Sequence, residues 1–162
     1  MSAGQEQHAV GGLQAWLWVG VQGLLFLGLG LWPASVGGSV SQFRLVAAVA
    51  FVLGAAVIIA ASVGLKRALT PVPVPNGAGM SARGVYRWVR HPMYTGVLVV
   101  ALAVALARGS VVVWLFAGAL LVFFEAKTRI EERMLVVTYP QYRSYAQITG
   151  KFIPGLGKYP PG

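Results

Sequence analysis

The stretch from Pro92 to Phe124 reads PMYTGVLVVALAVALARGSVVVWLFAGALLVFF, with one charge, Arg108, inside the short break Arg108-Gly109-Ser110. Pro92 suits the first position of a helix, where its missing N–H costs nothing. The two apolar runs, Pro92 to Ala107 and Val111 to Phe124, are 16 and 14 residues long. Each reaches about 21–24 Å as a helix at 1.5 Å per residue. The pattern predicts a helical hairpin whose second arm continues past the membrane through Glu125 to about Leu135.

Working outward, Leu13 to Trp32 and Leu45 to Leu65 are uncharged spans of 20 and 21 residues. Each is about 30 Å long as a helix, the thickness of a bilayer core. Trp16, Trp18 and Trp32 lie near the ends of the first, as interfacial anchors do. The expected architecture is an all-α integral membrane protein. It has two full transmembrane helices in residues 1–65, a shorter hairpin whose second arm extends into the cytoplasm, and a cytoplasmic site. Residues 1–162 form one membrane domain, with the core at 66–154 and a tail at 155–162.

Composition supports this reading. Of 162 residues 57% are hydrophobic and 10% charged, too few charges to cover a soluble globule of ordinary composition. The net charge is +9, yet the Lys and Arg lie between and after apolar runs. Membrane lipid headgroups therefore fit them better than nucleic acid does. Lys and Arg number five in the 66–94 region and six after Phe124, against none before the first span. The two rich regions share the cytoplasmic side, which places both termini and any site built from these regions there. Cysteine is absent and there are two His, which argues against a zinc or other metal site. The sequence leaves the oligomeric state open.

Three constellations carry possible chemistry. The first is Tyr86-Arg87-Trp88-Val89-Arg90-His91-Pro92-Met93-Tyr94, where the basic loop enters the hairpin. A helix start flanked by Arg90 and His91 offers an anion site. Tyr86, Trp88 and Tyr94 add rings that attract cations. Taken one residue at a time, an interfacial anchor is the better reading of these residue types. The second is Glu125 to Leu135. Aspartate is absent, and three of the four glutamates, Glu125, Glu131 and Glu132, fall here with Lys127, Arg129 and Arg133. Glu125 and Arg129 are spaced to pair on a helix, so a solvated face stitched by ion pairs is the alternative. The third is Tyr139 to Tyr145, either a pocket wall or an amphipathic helix on the membrane.

The run Arg90-His91-Pro92-Met93-Tyr94, then Glu131-Glu132, then Tyr142 with Phe152-Ile153-Pro154, resembles the isoprenylcysteine carboxyl methyltransferase and phospholipid methyltransferase group. The likeness covers roughly residues 66–154, and 69–96 looks like the small bacterial members. It implies an integral membrane enzyme that uses S-adenosylmethionine and releases S-adenosylhomocysteine, with a lipophilic or small apolar methyl acceptor. Carried across, Met80, Ser81, Tyr86, Arg90, His91, Pro92, Met93, Tyr94 and Glu131 would contact the cofactor. Glu132, His91, Lys127 and Arg129 would serve catalysis, and Trp88 and Tyr142 would meet the acceptor. Lys127 stands where the prenylcysteine enzymes place an Arg. Tyr139-Pro140 stands where the family usually has Phe-Gly. Two alternatives are an NADPH-dependent sterol-reductase-like enzyme, which shares a similar hairpin, and a non-catalytic module binding lipid or a partner. The acceptor is expected to arrive from the lipid between the hairpin and the second span.

Overall fold

The computed structural model describes residues 3–33, 43–65 and 82–160, with side chains from 16–33, 43–64 and 82–160. It contains five α-helices: α1 (Ala3–Leu31), α2 (Arg44–Leu65), α3 (Pro92–Arg108), α4 (Val111–Thr138) and α5 (Tyr142–Ile148). A 3₁₀ turn at Gly84–Arg87 leads into α3. No strand is present among the described residues, only an isolated parallel bridge between Val89 and Gly150.

α2 and α4 are long and apolar enough to cross a membrane, at Arg44–Gly64 and Val111–Thr138. The described apolar part of α1, Trp16–Leu31, and α3 are shorter. α2 fits the second of the two expected N-terminal spans, α1 runs helical through Leu31 where the first is expected, and α4 is the longer arm of the hairpin. As expected, the second arm runs on past Phe124: Glu125 to Thr138 contains no helix breaker and continues the same helix. α2 keeps Leu45, Val49, Val52, Leu53, Ile59 and Val63 exposed. Such an apolar surface has no place in water and suits lipid.

Three contacts set the order of the helices. Gly109 closes α3 in the left-handed conformation (φ 61°), and only it and Ser110 separate α3 from α4. So short a connection forces antiparallel neighbours, and Tyr94 at the start of α3 accordingly stacks on Phe124 well along α4 (4.4 Å). Arg108 donates to the carbonyls of Trp32 and Gly30 (2.6 Å for the latter), tying the end of α1 to the hairpin turn. α2 approaches α3 backbone to backbone. A Cβ on Gly54 would lie 2.8 Å from the Gly96 carbonyl oxygen, and one on Gly96 would lie 2.7 Å from that of Gly54. Two glycines facing each other allow this approach. It closes the α2–α3 seam, the side from which the acceptor is expected to enter.

Leu29, Ala101, Ala105, Val113, Leu120, Phe123 and Phe124 form the core shared by α1, α3 and α4. Above it, the segment after α5 is sewn to the approach of α3. Arg90 N–H donates to Gly150 O (2.8 Å), His91 N–H to Lys151 O (3.1 Å), and the Thr95 hydroxyl to Phe152 O (2.7 Å).

Candidate active site

The site forms where the first turn of α3 meets the charged continuation of α4. Pro92 is the first helical residue and His91 the cap. The next two residues, Met93 and Tyr94, carry N–H groups that have no acceptor within the helix. Across from them, Glu131 and Glu132 project from α4 on either side of His91. His91 Nε2 lies 3.0 Å from Glu132 Oε1, and Nδ1 lies 3.7 Å from Glu131 Oε2. The imidazole is stacked near Tyr94 (5.7 Å, 15° between planes) and tilted against Phe152 (6.1 Å).

The two glutamates have different neighbours. Glu131 Oε1 accepts from the Tyr94 hydroxyl at 2.6 Å. Glu132, 5% exposed, accepts from Arg90 Nε (2.8 Å) and His91 through Oε1, and from the Tyr159 hydroxyl (3.3 Å) through Oε2. A buried carboxylate persists as an ion only when paired in this way.

Arg90, expected to meet the cofactor, works as a staple. Its guanidinium also donates to Ala146 O (3.1 Å), Thr149 O (2.5 Å) and Gly157 O (2.8 Å), and lies 5.2 Å from the centre of the Tyr159 ring. Four of the five guanidinium donors are thereby taken up by the protein.

Lys127 is 1% exposed, with Nζ 2.8 Å from the Gln22 amide oxygen of α1. It lies 5.5 Å from the Tyr94 ring centre and 6.0 Å from that of Phe123. Tyr94 is thus the shared wall between Lys127 and Glu131.

Arg129 does not join this group. Its side chain is 67% exposed and pairs with Glu125 (2.9 Å), which also accepts from Lys151 Nζ (2.7 Å). Arg129 stands two positions from both Lys127 and Glu131, about 200° round the helix from either. It therefore lines an outer groove of about 360 Å³ with Val122, Ala126, Ile130 and Arg133. Trp88 also faces away; it is 59% exposed, with the Arg87 guanidinium 5.1 Å from its ring centre. Met80 and Ser81 lie outside the described residues.

Tyr142 and Tyr86 are both buried. The Tyr86 hydroxyl donates to Ala61 O (3.4 Å), joining the site to α2, and Tyr145 donates to Tyr86 O. The Tyr142 hydroxyl is buried with no hydrogen-bond partner among the described residues, although Glu132 and Arg90 are near. Burial pushes the Tyr86 and Tyr142 phenols well up and Tyr145 up to about 12; the neighbouring Glu132 raises Tyr142 further. Gln22 and Tyr159, which bond Lys127 and Glu132, are neighbours that sequence reasoning passed over. An amide at the middle of an uncharged span, well inside from Gln14 at its start, was the available signal for Gln22.

The sequence profile described as "Phospholipid methyltransferase" matches residues 43–142, more than half of the chain. The chain belongs to the phospholipid methyltransferase family. It is 37% identical over 86 residues to an uncharacterized protein of Schizosaccharomyces pombe (strain 972 / ATCC 24843), a match covering 49% of this chain. The chain spans about a quarter (25%) of that relative's length. The fold is similar to that of the eukaryotic intramembrane Ras methyltransferase ICMT (isoprenylcysteine carboxyl methyltransferase), with TM-score 0.66 and 19% identity. That alignment covers 99% of this chain and 56% of the neighbour. Family and fold together with α2 and α4 place this member of the family in the membrane.

Proposed function

We propose that this member of the family is a methyltransferase that uses S-adenosylmethionine to methylate a lipophilic or small apolar acceptor at the cytoplasmic membrane surface. The observation that carries this reading is the Glu131 carboxylate, held by Tyr94 beside the open N–H groups of the α3 start. One patch offers an anion for an ammonium, backbone donors for a carboxylate and ring faces for a sulfonium. Those are the charged parts of S-adenosylmethionine. The unpartnered Tyr142 hydroxyl adds a buried hydrogen-bonding group that a ligand or water can satisfy.

Glu131, Met93, Tyr94 and His91 would hold the cofactor, with Tyr86, Pro92 and Tyr142 shaping the surroundings. When bound, S-adenosylmethionine supplies an electrophilic methyl group and leaves as S-adenosylhomocysteine. The chain's own contribution is alignment and exclusion of water, since near-attack geometry supplies several kcal/mol. Tyr94, braced on Phe124, fixes Glu131. Lys127 faces the acceptor side of the Tyr94 ring. A thiolate or carboxylate acceptor needs no base. A neutral amine or hydroxyl must lose a proton, and His91 Nδ1, between the acceptor side and Glu131, is the atom to receive it.

The topology follows from the same reading. The basic 66–94 region and the charged end of α4 both lie on the cytoplasmic side, as do both termini. The partners are membrane lipids and the acceptor.

The test is transfer of tritium from methyl-labelled S-adenosylmethionine into organic extracts of membranes carrying the protein. Label above that of membranes carrying Glu131→Gln is expected. Equal label from the two, with equal protein present, would overturn the assignment.

A further inference from the structure

α4 has two faces. Val113, Leu120, Phe124 and Lys127 are buried in the bundle. Leu115, Val122, Ala126, Arg129 and Arg133 are exposed. These five follow one another at intervals of seven, four, three and four residues, so they form one stripe along the helix. The stripe is apolar from Leu115 to Ala126 and ends in two arginines one turn apart. An outer groove of about 360 Å³ lies where the two parts meet, and Glu125 and Ile130 complete its lining.

Depth places the two parts differently. α4 begins at Val111, directly after the hairpin turn. A bilayer core of about 30 Å takes about 20 helical residues, which carries the helix from Val111 to Ile130. Arg129 and Arg133 therefore stand at the level of lipid phosphates, and Leu115 and Val122 at the level of acyl chains.

The groove holds one carboxylate, and it is already used. Glu125 Oε1 accepts from Arg129 Nε (2.9 Å) and Oε2 from Lys151 Nζ (2.7 Å). Three cations thus meet one acid, while Glu131 and Glu132 turn inward to Tyr94 and His91. The two terminal nitrogens of Arg129 make no hydrogen bond among the described residues, and Arg133 makes neither a hydrogen bond nor an ion pair there. A second copy of the chain is a poor occupant, because a two-fold contact across this face would bring arginine against arginine.

We infer that this groove binds an anionic phospholipid of the leaflet around this end of α4. Arg129 and Arg133 take the phosphodiester, and an acyl chain lies along Ala126, Val122 and Leu115. The planar guanidinium fork suits phosphate because it donates two parallel bonds. A choline headgroup offers the same phosphate but sets a quaternary ammonium beside two guanidinium groups, and an uncharged glycerol headgroup avoids that repulsion. The groove is separate from the proposed cofactor site, since Arg129 is turned about 200° round the helix from Glu131. It requires only that α4 cross the membrane.

The experiment is native mass spectrometry of the full chain purified in detergent. Phosphatidylglycerol and phosphatidylcholine with identical oleoyl chains are added at equal concentration. The first lipid retained should be phosphatidylglycerol, at least fivefold over phosphatidylcholine. Arg129→Gln combined with Arg133→Gln should abolish that preference. Replacing both by Lys, which keeps the charge without the fork, should retain only part of it. Arg143→Gln removes one charge from exposed α5 outside the groove and should leave the preference intact. Val122→Trp fills the groove floor without changing charge and should lower phosphatidylglycerol retention at least threefold. All these positions are exposed, and each variant is checked for unchanged helical content. A preference unchanged in the double Gln variant, or lost to the same extent in Arg143→Gln, would overturn the inference. Displacement of the lipid by an equal concentration of glycerol 3-phosphate would also overturn it, marking a soluble-anion site. So would a two-chain species that lipid leaves intact and the double Gln variant disperses, marking a protein interface.

Discussion

Replacing Arg90 by Ala tests whether this residue holds the C-terminal segment rather than a ligand. The substitution removes the Nε bond to Glu132 and the three bonds to Ala146, Thr149 and Gly157 carbonyls. It leaves the Glu132 carboxylate with His91 and Tyr159 alone. Removing one partner of a buried ion pair costs about 3–5 kcal/mol. Taking about 4 kcal/mol, the population in which the 150–160 segment lifts away rises about a thousandfold. Lys151 and Lys158 then become tryptic sites. Cleavage follows the open population when opening is fast relative to cleavage. Limited trypsinolysis of the detergent-solubilised protein should therefore release the C-terminal peptide far faster in Arg90→Ala, with a lowered unfolding temperature. Arg90→Lys should recover little, because a single ammonium cannot reproduce the planar fork. A cleavage rate and unfolding temperature in Arg90→Ala close to wild type would refute the staple.

Three further outcomes follow from the geometry. Gly96→Leu, whose Cβ alone would lie 2.7 Å from Gly54 O, should destabilise the α2–α3 contact by about 1–3 kcal/mol, read as a lowered monodisperse fraction and unfolding temperature. Tyr94→Phe keeps the ring on Phe124 but loses the donor to Glu131; it should weaken S-adenosylhomocysteine binding about tenfold with little change in thermal stability, measured by titration and calorimetric unfolding. Tyr145, raised from 10.0 to about 12 by burial, contributes stability that is complete below pH 10 and lost as pH rises toward 12; phenolate absorbance should lag behind that of the unfolded chain across that window, and Tyr145→Phe should remove part of the lag.

The hairpin was legible because Arg108-Gly109-Ser110 is a strong break between apolar runs, and the structure puts Gly109 in the left-handed conformation there. The meeting of Tyr94 and His91 with Glu131 and Glu132 was legible too, since a short hairpin returns α4 past the start of α3. The bonds that tie Arg90 to the C-terminal segment were not. Three of its four acceptors are carbonyls 56 to 67 residues away, and no side-chain pattern marks a carbonyl. The separation of Arg129 from this group was hidden for a different reason. Residue type put it with the other charges, whereas helical period turns it away from Lys127 and Glu131. The segment after residue 154 read as a tail, yet Tyr159 reaches Glu132, a contact made only after the chain turns through Gly155 and Gly157 at positive φ. Gln22 was passed over because α1 was read for its span, not for its one amide at depth.

The most direct test of the central claim is calorimetric titration of the purified, folded protein with S-adenosylhomocysteine, with NADPH as control and Glu131→Gln alongside. Saturable binding of S-adenosylhomocysteine near one per chain, a loss of at least tenfold in Glu131→Gln, and no heat from NADPH are expected. Saturable NADPH binding with none of S-adenosylhomocysteine, or a Glu131→Gln protein that binds as tightly as wild type, would contradict it.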